Sequence, residues 1–263
     1  MEMDYSSFDF LTRVTAYWCL YDQRFSYYVY IPKNWKAPEQ PERYNLIVAI
    51  HGAERSAEVY RNSFKQLAER TNSVVLCPLF PVNPINQKEF TSYRFLRYKG
   101  TEFDVVLNHM IDELAQWAPI NAGRFLLHGF SAGGQFVHRY FYLHPGRLRA
   151  LSIGAPGQVT FLDEAQKWPK GIGDFESFFG SRPDLAQLRK VPLQIIVGGK
   201  DVKFNDIGSD LSRLELNRAL SRNFEDRGLD VRFDVVPDAS HEGLKVLPEV
   251  TRFFEEVISQ DKS

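Results

Sequence analysis

The chain of 263 residues carries 32 lysines and arginines against 33 acidic residues, a net charge of -1 at pH 7, and is 44% hydrophobic and 25% charged. A balance so close to neutral, with no basic patch, excludes nucleic acid or an anionic membrane as the main partner, and the apolar content is that of a globular protein. Undivided α/β folds commonly run to about 250 residues, so a single domain over 1–263 is expected.

The N-terminus, from Met1 to Tyr5, has acidic residues where a secretory signal needs positive charge, and no apolar stretch approaches the roughly 18 residues of a membrane span. A cytoplasmic location is therefore expected. Val14 to Tyr21 and Arg24 to Ile31 are aromatic, β-rich runs joined at Asp22-Gln23, which predicts an antiparallel hairpin at a sheet edge. Cys19 and Cys77 lie in apolar runs without metal spacing and read as reduced core thiols. Pro32, Pro38 and Pro41 mark a loop. Asn45 to Ile50 is nearly all apolar, as in a strand buried on both faces, and ends in His51-Gly52-Ala53. A helix follows from Ala57, then a short strand from Ser73 to Cys77.

Residues 78–100 lack a period and hold many aromatics; residues 158–190 do the same. Irregular stretches of this length in a compact domain serve a function or move, and both are expected to form a cap or lid. Between them Thr101 and Asp104 form a capping-box signal, and Phe103, Val106, Leu107, Met110, Ile111, Leu114 and Trp117 keep one helical face apolar. Phe125 to Leu127 is a strand, and the helix after it stops at His144-Pro145-Gly146. Ala150 to Ile153 and Pro192 to Val197 are further strands; the second runs into Gly198-Gly199-Lys200-Asp201. Leu211 to Arg227 is helical with Gly228 as its stop, Val231 to Val236 is the last strand, and Val246 to Ile258 is a closing helix. Strands alternating with helices predict a mostly parallel sheet wrapped on both faces, with reactive groups at the carboxyl ends of strands.

Three such ends carry candidate reactive residues. Gly129-Phe130-Ser131-Ala132-Gly133 places a serine between a buried strand and a helix. A hydroxyl needs a base to become a nucleophile, so it must stand on a sharp turn that a histidine can reach. Glycines two before and two after the serine remove the side chains that would collide there. Asp201 follows Ser131 by 70 residues and His241 follows Asp201 by 40, each just after a predicted strand. Asp206 and Asp238 are the rivals for the acid.

This order of serine, acid and histidine resembles the α/β-hydrolases, and the resemblance runs from about Phe25 to Ile258. It implies an α/β-hydrolase fold in which Ser131 attacks an acyl carbon, His241 moves the proton and Asp201 orients the imidazole. It also implies an oxyanion hole from the backbone N–H groups of Ala132 and Ala53, with His51 as a structural residue. His-Gly-Ala-Glu-Arg together with Gly-Phe-Ser-Ala-Gly-Gly is similar to the polyhydroxybutyrate depolymerase and feruloyl or acetylxylan esterase group. Those relatives are commonly secreted and often have Cys where Ala53 stands, so a smaller intracellular ester is the expected substrate.

A serine carboxylesterase acting through an acyl-enzyme is thus expected, without cofactor or metal, and with Phe80, Tyr93, Phe161 and Trp168 lining the substrate pocket. Two alternatives stay open: a peptidase resembling the catalytic domain of prolyl oligopeptidases, and a non-catalytic relative that binds a ligand or partner. The sequence leaves the acyl and alcohol groups and the oligomeric state undefined.

Overall fold

A computed structural model of the chain describes residues 16–33, 44–202 and 210–260. Ten strands form: β1 (Ala16–Trp18), β2 (Ser26–Tyr30), β3 (Asn45–Ile50), β4 (Ser73–Leu79), β5 (Arg97–Tyr98), β6 (Thr101–Glu102), β7 (Phe125–Phe130), β8 (Leu148–Gly154), β9 (Leu193–Gly198) and β10 (Val231–Val236). Eight of them make one sheet in the order β1-β2-β4-β3-β7-β8-β9-β10, while β5 and β6 pair separately. The pairings β1–β2 and β2–β4 are antiparallel, and every other neighbour in the large sheet is parallel.

The helices are α1 (Ala57–Ser63), α2 (Lys65–Thr71), α3 (Phe103–Ala115), α4 (Ala132–Leu143), α5 (Phe175–Phe179), α6 (Leu185–Leu188), α7 (Arg213–Glu225) and α8 (Gly243–Gln260). Because successive strand residues point to opposite faces, the apolar run of β3 serves two cores. Leu46, Val48 and Ile50 pack on the side of α3, α4 and α7, while Ile47 and Ala49 pack on the side of α1, α2 and α8. Fully apolar strands belong in such a doubly covered sheet.

Three local expectations need correction. The first strand of the hairpin stops at Trp18, and Cys19 to Phe25 make a loop closed by the Cys19 N–H on the Phe25 carbonyl at 3.1 Å; Val14, Pro38, Pro41 and Asp206 lie outside the described residues. The strand predicted to end at Cys77 runs on to Leu79; Pro78 is tolerated because the ladder with β3 ends at Leu76. The capping box at Thr101 is absent. Glu102 precedes α3, Thr101 accepts from Arg24, and Asp104 is hydrogen-bonded by His144 at 2.8 Å. A capping box does form at Ser212 and Glu215, where the Ser-x-x-Glu spacing was present in the sequence.

A buried cation on α4 joins both irregular segments to the body. Arg139, on α4 and fully buried, donates from Nε to Thr160 at 3.0 Å and from Nη1 to the Arg94 carbonyl at 2.6 Å. Its guanidinium lies over the rings of Phe95 and Trp168, at 4.8 and 5.3 Å, so residues from 78–100 and from 158–190 meet on it.

Candidate active site

The strand β7 leaves the sheet at Phe130 and α4 begins at Ala132, with Ser131 between them at φ 58 and ψ -115. Positive φ at a residue with a side chain costs on the order of 1–3 kcal/mol and persists where its surroundings fix it. Here the Ser131 N–H donates to the Gly154 carbonyl on β8 at 2.8 Å. The flanking glycines behave as the sequence predicts: a Cβ on Gly129 would stand 2.4 Å from the Gly133 carbonyl oxygen, and one on Gly133 would stand 2.2 Å from that of Ile50.

Asp201 and His241 arrive from β9 and β10. The loop after β10 lies directly against Gly198, where an added Cβ would meet the Ser240 and Ala239 carbonyls at 2.3 and 2.4 Å. Backbone bonds from Gly199 to Val236 (2.8 Å) and from Lys200 to Ala239 (2.9 Å) join the two loops. As a result His241 Nε2 lies 2.9 Å from Ser131 Oγ, and His241 Nδ1 lies 2.7 Å from Asp201 Oδ2. Both contacts are satisfied when the hydroxyl donates to Nε2 and Nδ1–H donates to the carboxylate. The Phe130 ring lies 4.9 Å from the imidazole and covers part of it.

Asp201 is buried, and its second oxygen accepts from Arg213 Nη1 at 2.7 Å. Burial raises its pKa, but the bond and charge of His241, together with the charge and bond of Arg213, outweigh it and hold the carboxyl below the usual range. Arg213 was not foreseen. The Ser212 cap fixes where α7 starts, yet nothing in the spacing says that its first residue turns toward the β9 loop. The rival Asp238 is exposed and paired with Lys200 at 3.0 Å.

The turn after β3 lies beside the serine: a Cβ on Gly52 would be 3.7 Å from that of Ser131. Arg55 N–H closes the turn on the Gly52 carbonyl at 3.2 Å, with Ala53 at its exposed tip. Ala132 is the first residue of α4, and the opening N–H groups of a helix have no partner within it. His51 is fully buried; its Nδ1–H donates to the Gly52 carbonyl at 2.7 Å and Nε2 accepts from the Phe80 N–H at 3.0 Å. Burial lowers its pKa to about 4, so it is neutral at pH 7 and holds the turn through hydrogen bonds.

Phe80 and Tyr93 do not line a cleft. Phe80 is fully buried, with Phe25, Tyr93, Phe103 and Phe136 around its ring at 5.3 to 5.8 Å. Tyr93 is equally enclosed and donates from its hydroxyl to the His51 carbonyl at 3.0 Å. Aromatic residues in a long irregular segment have a core to fill, and that demand took these two rings. Phe161 and Trp168 are half-buried; Trp168 packs edge-on against Phe175 and Phe179 at 5.6 and 4.9 Å.

This architecture, a mostly parallel eight-stranded sheet covered on both faces with a sharp serine turn after its fifth strand in space, is the α/β-hydrolase fold. The chain is similar to poly(aspartic acid) hydrolase-1 from Sphingomonas sp. KT-1, at 22% identity and a TM-score of 0.70 over 87% of this chain and 92% of that one. It is also similar to a poly(3-hydroxybutyrate) depolymerase from Bordetella parapertussis, at 21% identity and a TM-score of 0.69 over 88% of this chain and 84% of that one. An S-formylglutathione hydrolase from Staphylococcus aureus shares the fold at 14% identity and a TM-score of 0.62, over 89% of this chain and 92% of that one. No protein-family model matches the chain, and no curated protein does. Among the described residues no helix is long and apolar enough to cross a membrane.

Proposed function

We propose that the protein is a serine hydrolase that cleaves a carboxylic ester through an acyl-enzyme, with Ser131, His241 and Asp201 as its triad. The observation that carries this reading is the unbroken line of contacts, 2.9 Å from Ser131 Oγ to His241 Nε2 and 2.7 Å from His241 Nδ1 to Asp201. Three similar structures bear the names of hydrolases, which agrees with it.

In this mechanism His241 takes the serine proton as Oγ bonds to the acyl carbon. Asp201 stabilises the imidazolium that forms. The carbonyl oxygen, now negative, is held by the N–H groups of Ala132 and Ala53; losing one such donor typically lowers turnover by about 10² to 10³. His241 then passes its proton to the leaving alcohol, and a water repeats the sequence in reverse to free the acid. His51, neutral and bonded to Gly52, keeps the turn that carries Ala53 in place. Phe161 and Trp168 remain the proposed wall of the substrate cleft, and the 158–190 segment its lid, within a single domain.

A fluorophosphonate probe tests the chemistry: wild type is expected to label and Ser131→Ala is not. Absence of labelling in a folded wild-type protein overturns the reading and favours a ligand-binding relative. A second reading, an amide hydrolase, draws on the likeness to a poly(aspartic acid) hydrolase, because that polymer is linked by amides. Comparing a p-nitrophenyl ester with the matching p-nitroanilide separates the two.

A further inference from the structure

The turn after β3 carries a cation, Arg55, that makes no ion pair among the described residues. Arg55 sits at the end of the turn with φ 57, a conformation that L side chains rarely adopt. Its Nη1 donates back to the Ala53 carbonyl, and its guanidinium lies 5.7 Å from the centre of the Tyr93 ring. Nε and Nη2 are both shielded from solvent and reach no acceptor. Arg94, next to Tyr93 in sequence, also keeps a shielded Nε without an acceptor. Among the described residues no carboxylate lies within 4 Å of either guanidinium.

These arrangements are unfavourable as they stand. A desolvated donor without an acceptor is destabilising, more so when it is charged. Native proteins keep few such groups, and those they keep call for an explanation. Arg55 lies over the Tyr93 ring, Arg94 follows Tyr93 in the chain, and the charges of both act on the buried Tyr93 hydroxyl beneath the turn. Glu89, which acts on Tyr93 in the opposite sense, is turned to the Ser92 N–H and hydroxyl instead. Arg139 also keeps a shielded Nη2 without an acceptor, but Thr160, the Arg94 carbonyl and two rings hold the rest of its guanidinium, and its role is to fasten the segments.

We propose that the substrate is an anionic ester, bearing a carboxylate near the scissile group, and that Arg55 binds this carboxylate with Arg94 beside it. The inference rests on the hydrolase reading above and names its substrate class. A planar guanidinium with two free N–H directions matches a carboxylate in a bidentate pair, which is shorter and stronger than a neutral hydrogen bond. Location matters as much as charge. Arg55 closes the turn whose Gly52 lies against Ser131, so an anion gripped there holds the reacting carbonyl beside the nucleophile.

Two matched substrate pairs test the proposal. On the acid side p-nitrophenyl hemiglutarate is compared with p-nitrophenyl valerate; on the alcohol side the butyryl ester of 3-hydroxybenzoate is compared with phenyl butyrate. The expected result is a preference in kcat/KM of about tenfold or more for the charged member of one pair. It should shrink with added salt and disappear in Arg55→Met. Arg94→Met should reduce it, and Arg55→Lys should restore part of it. Because each preference is a ratio measured on one preparation, a variant that folds poorly still gives a valid answer. Equal rates within both pairs, or a preference that survives in both Arg55→Met and Arg94→Met, overturn the proposal while leaving the hydrolase intact. Failure to hydrolyse any of the four, together with absent fluorophosphonate labelling, is instead a failure of the hydrolase reading.

Discussion

Arg213 and Asp201 meet through a hydrogen bond of 2.7 Å from guanidinium Nη1 to carboxylate Oδ1, which leaves Oδ2 to His241. The cation fixes the rotation of the carboxylate and draws off part of the negative charge that the imidazole faces. The other charged groups near His241 among the described residues, Lys200 with Asp238 and Glu242 with Lys245, are paired with each other.

Removing this cation has a predictable sign. In Arg213→Met turnover falls by about tenfold, because the carboxylate that orients the imidazole is free to rotate. Arg213→Lys restores part of the loss. The kcat of p-nitrophenyl ester hydrolysis reads this quantity, and an unchanged turnover in Arg213→Met contradicts the account.

Buried histidines make the fold sensitive to mild acid. Burial lowers His51 to about 4 and His128 to about 3, while an unfolded histidine titrates near 6.5. Between those values the unfolded chain binds more protons than the folded one, so stability falls as pH drops through 6.5 toward 4. For His51 the total is on the order of 3 kcal/mol. In His128→Gln the loss between pH 6 and 4.5 should be shallower by roughly 1.4 kcal/mol per pH unit, measured by urea unfolding. Asp201 acts lower on the scale: its depressed pKa stabilises the fold above the ordinary carboxylate value, and this is lost as pH falls through the folded one.

The crossing of β7 and α4 tolerates no added atoms. Gly133→Ala would place a methyl 2.2 Å from the Ile50 carbonyl and 2.8 Å from that of His51, both backbone atoms at the turn after β3. A loss of about 3 kcal/mol or more is expected, with activity falling in the protein that remains folded. Gly146→Ala is the control, since nothing lies within 4 Å of its added Cβ, and it should stay within about 0.5 kcal/mol of wild type. Thermal unfolding of the two variants side by side decides the matter.

Phe80 and Phe161, both aromatics of irregular segments, should fail in different ways. Phe80→Ala empties the centre of a five-ring cluster and is expected to lower stability by about 3–5 kcal/mol. Phe161 is half-buried and follows the Thr160 that Arg139 holds. Its replacement by Ala should change KM for bulky esters more than it changes the unfolding midpoint. Equal effects on both measurements would remove the proposed lid role of the 158–190 segment.

Legibility divided along the distance over which a contact acts. Strand and helix types could be read because burial on both faces of β3, β7 and β9 forces continuous apolar runs, and one buried face of α3 forces a helical period. The glycines around Ser131 were equally legible: the clash they relieve is between segments a few residues apart. The error at Thr101 has the same origin in reverse. A capping box is a local pattern, and there two distant residues, Arg24 and His144, took the polar groups it needed.

By itself the sequence determined the order of elements and put Ser131, Asp201 and His241 each at the end of a strand. Only the tertiary structure decided which polar groups share a hydrogen bond and which aromatics fill the core. It drew Phe80 and Tyr93 into the packing, seated Arg139 between two rings and turned Arg213 onto Asp201. The physical reason is that periodicity encodes which face of an element is apolar. The partner of a single polar side chain depends on loop paths that no short stretch of residues specifies.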